Sequence, residues 1–142
     1  MLSKKVIEYL QEEGCYDETP DLEYIEALRA LGISPDDEIG QFNLSTNTIT
    51  IEGSHGSIYN VCWFMVNSSY RESMTSLQEA LKMPTSYIPL DSFEAGGGFL
   101  YDRLSKQVIE LEVGSSLIAF QHGRLRPQWT SFNDFLEWFF GL

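Results

Sequence analysis

Apolar and polar residues recur along this chain with two different periods, and each period predicts its own kind of element. Around Ser3 to Gln11, Leu2, Val6, Ile7 and Leu10 share one side of a helical wheel, opposite Lys4, Glu8, Gln11 and Glu12. This is an amphipathic helix, stopped at Gly14. A second helix opens with Thr19 as N-cap and Pro20 at its first position, places Tyr24, Ile25, Leu28 and Leu31 on one face, and ends at Gly32. Ser34-Pro35 repeats the opening signal, so one more short helical turn is expected within Asp36 to Phe42.

From Asn47 the period changes to two: Ile49 and Ile51 alternate with Thr48, Thr50 and Glu52, the pattern of a strand. The loop Gly53-Ser54-His55-Gly56 turns this strand into Ile58 to Val66, whose apolar run predicts a central strand covered on both faces. A short helix in SLQEALK precedes Pro84, and Tyr87 to Phe93 reads as a strand that Pro89 confines to an edge or a bulge. Ile109, Leu111 and Val113 alternate with Glu110 and Glu112 in a strand with one wet face, and Leu117 to Gln121 is a further strand candidate. The chain finishes with a helix capped by Thr130 or Ser131. Its cluster of Phe132, Phe135, Leu136 and Phe139 is widened by Trp138 and Phe140 to an apolar arc of about 200°. So wide an arc needs a cover: a neighbouring loop, the first helix, or a partner.

Three consecutive glycines in SFEAGGGFLYD raise the question of a phosphate cradle. Such loops need a helix directly behind them, so that its free N–H groups and dipole meet the anion. Here a strand pattern follows, there is no GK[ST], and the acids Glu94 and Asp102 flank the glycines. A bend or bulge between strands is the expected structure.

At 142 residues, 43% of them hydrophobic and 13% aromatic, the chain is expected to fold as one domain spanning 1–142 around its own core. The apolar start breaks at Glu8, Glu12 and Glu13 before any export signal forms, and the longest apolar run, Val61 to Val66, is far too short to span a bilayer. Cys15 and Cys62 lack CxxC spacing, which fits two reduced thiols in a cytoplasmic protein.

The formal net charge of −12 changes the picture most. Residues 1–40 hold eleven acids against Lys4, Lys5 and Arg29, and from Glu8 to Glu26 there are eight acids and no base. Such a surface repels phosphate backbones, which excludes a nucleic-acid partner. The same field steers a basic protein toward it. Acidity of this kind also keeps a domain in solution, so charge alone leaves both readings open.

Catalytic chemistry is thinly represented. His55 and His122 have no ligand-spaced companions, so neither a metal site nor a cofactor is expected. Ser54-His55 are sequence neighbours at a hairpin tip, where a nucleophile and its base rarely face each other. Glu94 with Asp102 is a conceivable acid–base pair, provided one carboxyl has a raised pKa.

Several segments, in order, resemble the SUKH superfamily of bacterial immunity proteins, related to the yeast cell-wall synthesis regulator family. Met83-Pro84-Thr85-Ser86-Tyr87-Ile88-Pro89-Leu90 is similar to the family's Leu-Pro-x-x-Tyr-Ile-Pro-Ile segment, followed by the glycine-rich FEAGGGFLYD and a strand like QVIELEV. Trp129-Thr130-Ser131-Phe132 through Phe135-Leu136 is similar to the closing W-x-S-F-x-x-F-L helix. The resemblance implies an α+β domain whose N-terminal and C-terminal helices pack on one curved, mostly antiparallel sheet of about five to six strands. It also implies a non-catalytic, cytoplasmic binding protein that neutralises a cognate secreted toxin, often a nuclease; the sequence leaves open whether it is a monomer or a weak homodimer. A regulatory or scaffolding domain without a toxin is the alternative. Nucleases are themselves basic, which gives the acidity a purpose. The contact residues expected from charge and exposure are Glu12, Glu13, Asp17, Glu18, Asp21, Glu23 and Glu26 as an electrostatic rim, with Trp138 and Phe140 as an aromatic anchor.

Overall fold

Ser3 caps the first helix, its hydroxyl accepting the Val6 N–H at 3.4 Å. The computed structural model describes residues 1–19 and 21–142, and over these the chain is α+β. Its elements are α1 (Lys4–Glu12), α2 (Leu22–Ala30), α3 (Glu38–Leu44), β1 (Thr50–Gly53), β2 (Gly56–Tyr59), α4 (Val61–Asn67), α5 (Tyr70–Leu81), β3 (Tyr87–Pro89), β4 (Gly97–Asp102), β5 (Val108–Glu112), α6 (Ser115–Gln121) and α7 (Phe132–Phe140). They group into two units, residues 1–68 with 132–142, and residues 69–131.

In the first unit, α1 and α7 pack together and bury Val6, Leu10, Phe135 and Phe139. Tyr9 stacks on Phe140 with ring centroids 4.3 Å apart, and Lys5 reaches Glu137 at 3.7 Å. The first helix is therefore part of the cover that the wide apolar arc of α7 requires. The β1–β2 hairpin supplies more: Gly53 lies so close against the Phe139 ring and carbonyl that any Cβ there would collide with them. Asn133 ties the ends in, accepting the Ser3 N–H at 3.0 Å, while its own N–H meets Glu38 Oε1 at 2.7 Å.

Two expectations in this unit are corrected. Asp21, not Thr19, caps α2, its Oδ1 accepting the N–H groups of Glu23 and Tyr24 at 2.9 and 3.4 Å. The expected Pro20 position lies outside the described residues. The predicted central strand Ile58 to Val66 ends at Tyr59, and the rest of the run is helix α4. The cause is the buried pair Asn43 and Asn60. Asn60 Oδ1 accepts the Trp63 N–H at 3.1 Å and Asn43 Oδ1 accepts the Val61 N–H at 2.8 Å. These satisfy two amide groups that a helix start leaves without intrahelical partners.

In the second unit β3, β4 and β5 form an antiparallel sheet in that order, with the proline-bearing β3 at its edge as expected. Only Tyr87–Pro89 of the predicted Tyr87 to Phe93 strand is regular. Leu117 to Gln121 is not a strand but part of α6. Leu117 and Phe120, three residues apart, both pack on the cluster of Leu81, Met83, Leu100, Ile109 and Leu111, and three-residue spacing brings side chains together on a helix, not on a strand. The described strands number five but form two ladders, of two and three, rather than the expected single sheet of about five to six: α4 cuts one expected strand short at Tyr59, and α6 takes the place of another.

Candidate functional site

Acidic residues are unevenly shared between the units. The first holds 14 Asp and Glu against three Lys and Arg, the second seven against six. Nearly all of the net charge therefore resides in one unit. Of its three bases, Lys4 lies 3.9 Å from Glu8 and Lys5 lies 3.7 Å from Glu137, so both lean on acids outside the predicted rim.

The rim residues follow one stretch of surface chain. Glu12 is the last residue of α1 and Glu13 is its C-cap, and both are exposed. Asp17 and Glu18 lie in the connection, which the Asp17 N–H anchors to the Ser45 carbonyl at 2.7 Å. Asp17 Oδ1 accepts the Thr19 N–H at 2.8 Å, and that bond lowers its pKa. Glu18 accepts the Tyr16 hydroxyl at 2.9 Å. Asp21, Glu23 and Glu26 are exposed along the first half of α2.

The two aromatic candidates part company. Trp138 is half-buried, one ring face covered by His55 at a centroid distance of 3.7 Å and an interplanar angle of 5°. Phe140 is only 5% exposed and is held by Tyr9 and Phe139. It is core, and leaves Trp138 as the aromatic with surface to offer.

The carboxylate pair considered for catalysis is not brought together. Glu94 precedes β4 and Asp102 ends it, so a strand about 17 Å long lies between them. Burial pushes the Asp102 carboxyl up, but hydrogen bonds from the Leu104 N–H and the Ser105 hydroxyl outweigh it and the pKa is lowered. A general acid needs the opposite shift. Ser54 and His55 do sit at the hairpin tip, with His55 turned onto Trp138. Both thiols are free and buried, and burial, then the charge of Asp21, pushes Cys62 up to about 12.

The glycine question has an internal answer. Phe93, Ala95 and Gly96 take positive φ in and just before the tight turn Glu94–Gly96, and Gly97 and Gly98 open β4. The carboxylate of Asp91 lies over them, accepting the N–H groups of Phe93 and Phe99 at 3.1 and 3.3 Å, and a Cβ on Gly98 would strike it. The chain's own anion thus takes the donors that a phosphate would use. Burial raises the Asp91 pKa to about 6 against the opposing effect of those two hydrogen bonds, with Glu110 and Glu94 adding to the rise. Asp91 was not among the residues singled out from sequence.

This shift predicts a pH dependence. A carboxyl whose folded pKa lies above its unfolded value favours the protonated native state, so stability falls as pH rises from about 4 through about 6. Between pH 5 and 7.5, above the isoelectric point of 4.4, Asp91 is expected to account for a loss of about 1 kcal/mol. Urea unfolding of the wild type and of Asp91→Asn at both pH values checks this: the variant should lack that part of the fall, and parallel curves would refute it.

No helix among the described residues is long and apolar enough to cross a membrane. Comparison with family models, with curated proteins and with solved structures finds no match.

Proposed function

We propose that the chain is a non-catalytic immunity protein of the SUKH type. It acts in the cytoplasm of a toxin-producing bacterium, where it binds and blocks a cognate basic toxin such as a nuclease. The observation that carries the reading is the segregation of charge: 14 acids against three bases in one unit, and seven against six in the other. If acidity served only to hold the chain in solution, both units could share it. An enzyme that grips a polyanion presents a cationic groove, and a preformed anionic face competes for that groove while speeding encounter. The order of motifs in the C-terminal half supports the same reading.

The test is genetic. The reading frame adjacent to this gene is placed under an inducible promoter in a bacterial host, with and without this chain. Growth arrest that the chain relieves is the expected result. A neighbour that is harmless in both strains refutes the toxin reading, and a stable complex with a housekeeping protein then marks a regulatory or scaffolding domain.

A further inference from the structure

Helix α4 is apolar at six of its seven positions, yet only Val61 and Cys62 are buried. Trp63, Phe64 and Met65 are half-buried and Val66 is 40% exposed. A helix that is apolar all round and not enclosed leaves a face for another molecule. Its setting says which kind. Residues 53–70 contain no Asp, Glu, Lys or Arg, although they lie almost wholly in the unit that carries nearly all the negative charge. Helix α2, with exposed Asp21, Glu23 and Glu26, packs along α4, and the Cys62 thiol lies 3.6 Å from the Tyr24 carbonyl. Leu22, the first residue of α2, is itself 75% exposed.

We propose that this apolar face, bordered by the α2 acids, seats a basic amphipathic segment of the protein partner. The proposal rests on the reading of the chain as an inhibitor of a basic protein, and it names where the grip is apolar. The acids select for Lys and Arg and disfavour an anionic bilayer, while Trp63, Phe64 and Val66 offer the desolvated contacts that hold a partner once steered in.

The probe is an amphipathic leucine–lysine peptide about five helical turns long, titrated into the full chain carrying ¹³C-methyl methionine. The Met65 methyl resonance should move, while Met74 and Met83, buried in the second unit, stay in place. Oligolysine of equal charge should leave Met65 unmoved. Val66→Glu, at an exposed position in the last turn, adds an anion, so purely electrostatic binding would tighten. Apolar seating predicts at least about tenfold weaker peptide binding instead. A stationary Met65, an equal response to oligolysine, tighter binding by Val66→Glu, or a Met65 shift induced only by phosphatidylcholine vesicles overturns the proposal. The two readings fail separately. If the chain rescues cells from its toxin and Val66→Glu rescues equally well, the α4 surface is wrong. If no toxin exists but the peptide docks on Met65, the surface stands and the immunity reading falls.

Discussion

Replacing Asn60 with alanine should cost the first unit about 4 kcal/mol. The side chain is fully buried, and its amide donates to the Asn43 carbonyl, the Thr46 carbonyl and the Thr46 hydroxyl at 3.1 to 3.2 Å while its oxygen caps α4 at Trp63. Truncation leaves these groups buried without their partner, at about 1–3 kcal/mol each, and removes a helix cap worth about 1 kcal/mol. Against a total stability of about 5–15 kcal/mol the loss is large, and thermal unfolding should fall by about 10–15 °C. Asn60→Asp sharpens the test. It keeps the capping oxygen but turns the donor into a second acceptor facing two carbonyls, so it should be at least as damaging as alanine. An aspartate variant that melts with the wild type would show that the cap alone matters.

The same residue explains the largest misreading of the sequence. In VCWFMV every position is apolar, so periodicity cannot tell a buried strand from a buried helix, and the β-branched and aromatic content favours the strand. The deciding signal was Asn60 directly before the run, a good N-cap, together with Asn43, seventeen positions earlier, whose part is visible only once the chain has folded. A similar ambiguity hid α6, a four-residue apolar run too short to show its period. Where polar residues interrupt the apolar ones, as in α1, α7 and β5, the elements were legible to within a residue or two.

The candidate site was legible to the extent that it depends on charge. Carboxylates stay in water, so a run of acids without bases marks exposed surface before any fold is known. Aromatic residues give no such assurance. Trp138 and Phe140 are two residues apart on one helix, and only the neighbouring α1 and hairpin decide that Phe140 is enclosed under Tyr9 while Trp138 keeps an edge in solvent. Asp91 was hidden for a different reason. Its role depends on Gly98, seven residues later, leaving the space that the carboxylate fills.

The largest functional effect is expected from removing the rim charge without disturbing the fold. Changing Glu12, Glu13, Glu18, Glu23 and Glu26 to Gln, and Asp17 and Asp21 to Asn, takes the formal net charge from −12 to −5. The amide versions keep the oxygens that accept the Thr19 N–H at Asp17 and the Glu23 and Tyr24 N–H groups at Asp21, and asparagine caps helices as well as aspartate does. Melting near the wild-type temperature is therefore expected. Association with the toxin identified by co-expression should slow by about 10–100-fold at low salt, while dissociation changes by less than about threefold. At about 0.5 M salt, where the screening length is only a few ångströms, the two proteins should associate at nearly equal rates. The comparison separates steering from gripping: rim carboxylates act over distance before contact, apolar residues only after it. If the neutralised chain associates as fast as the wild type at low salt, the acids are merely solubilising and the anionic unit has no part in finding the partner.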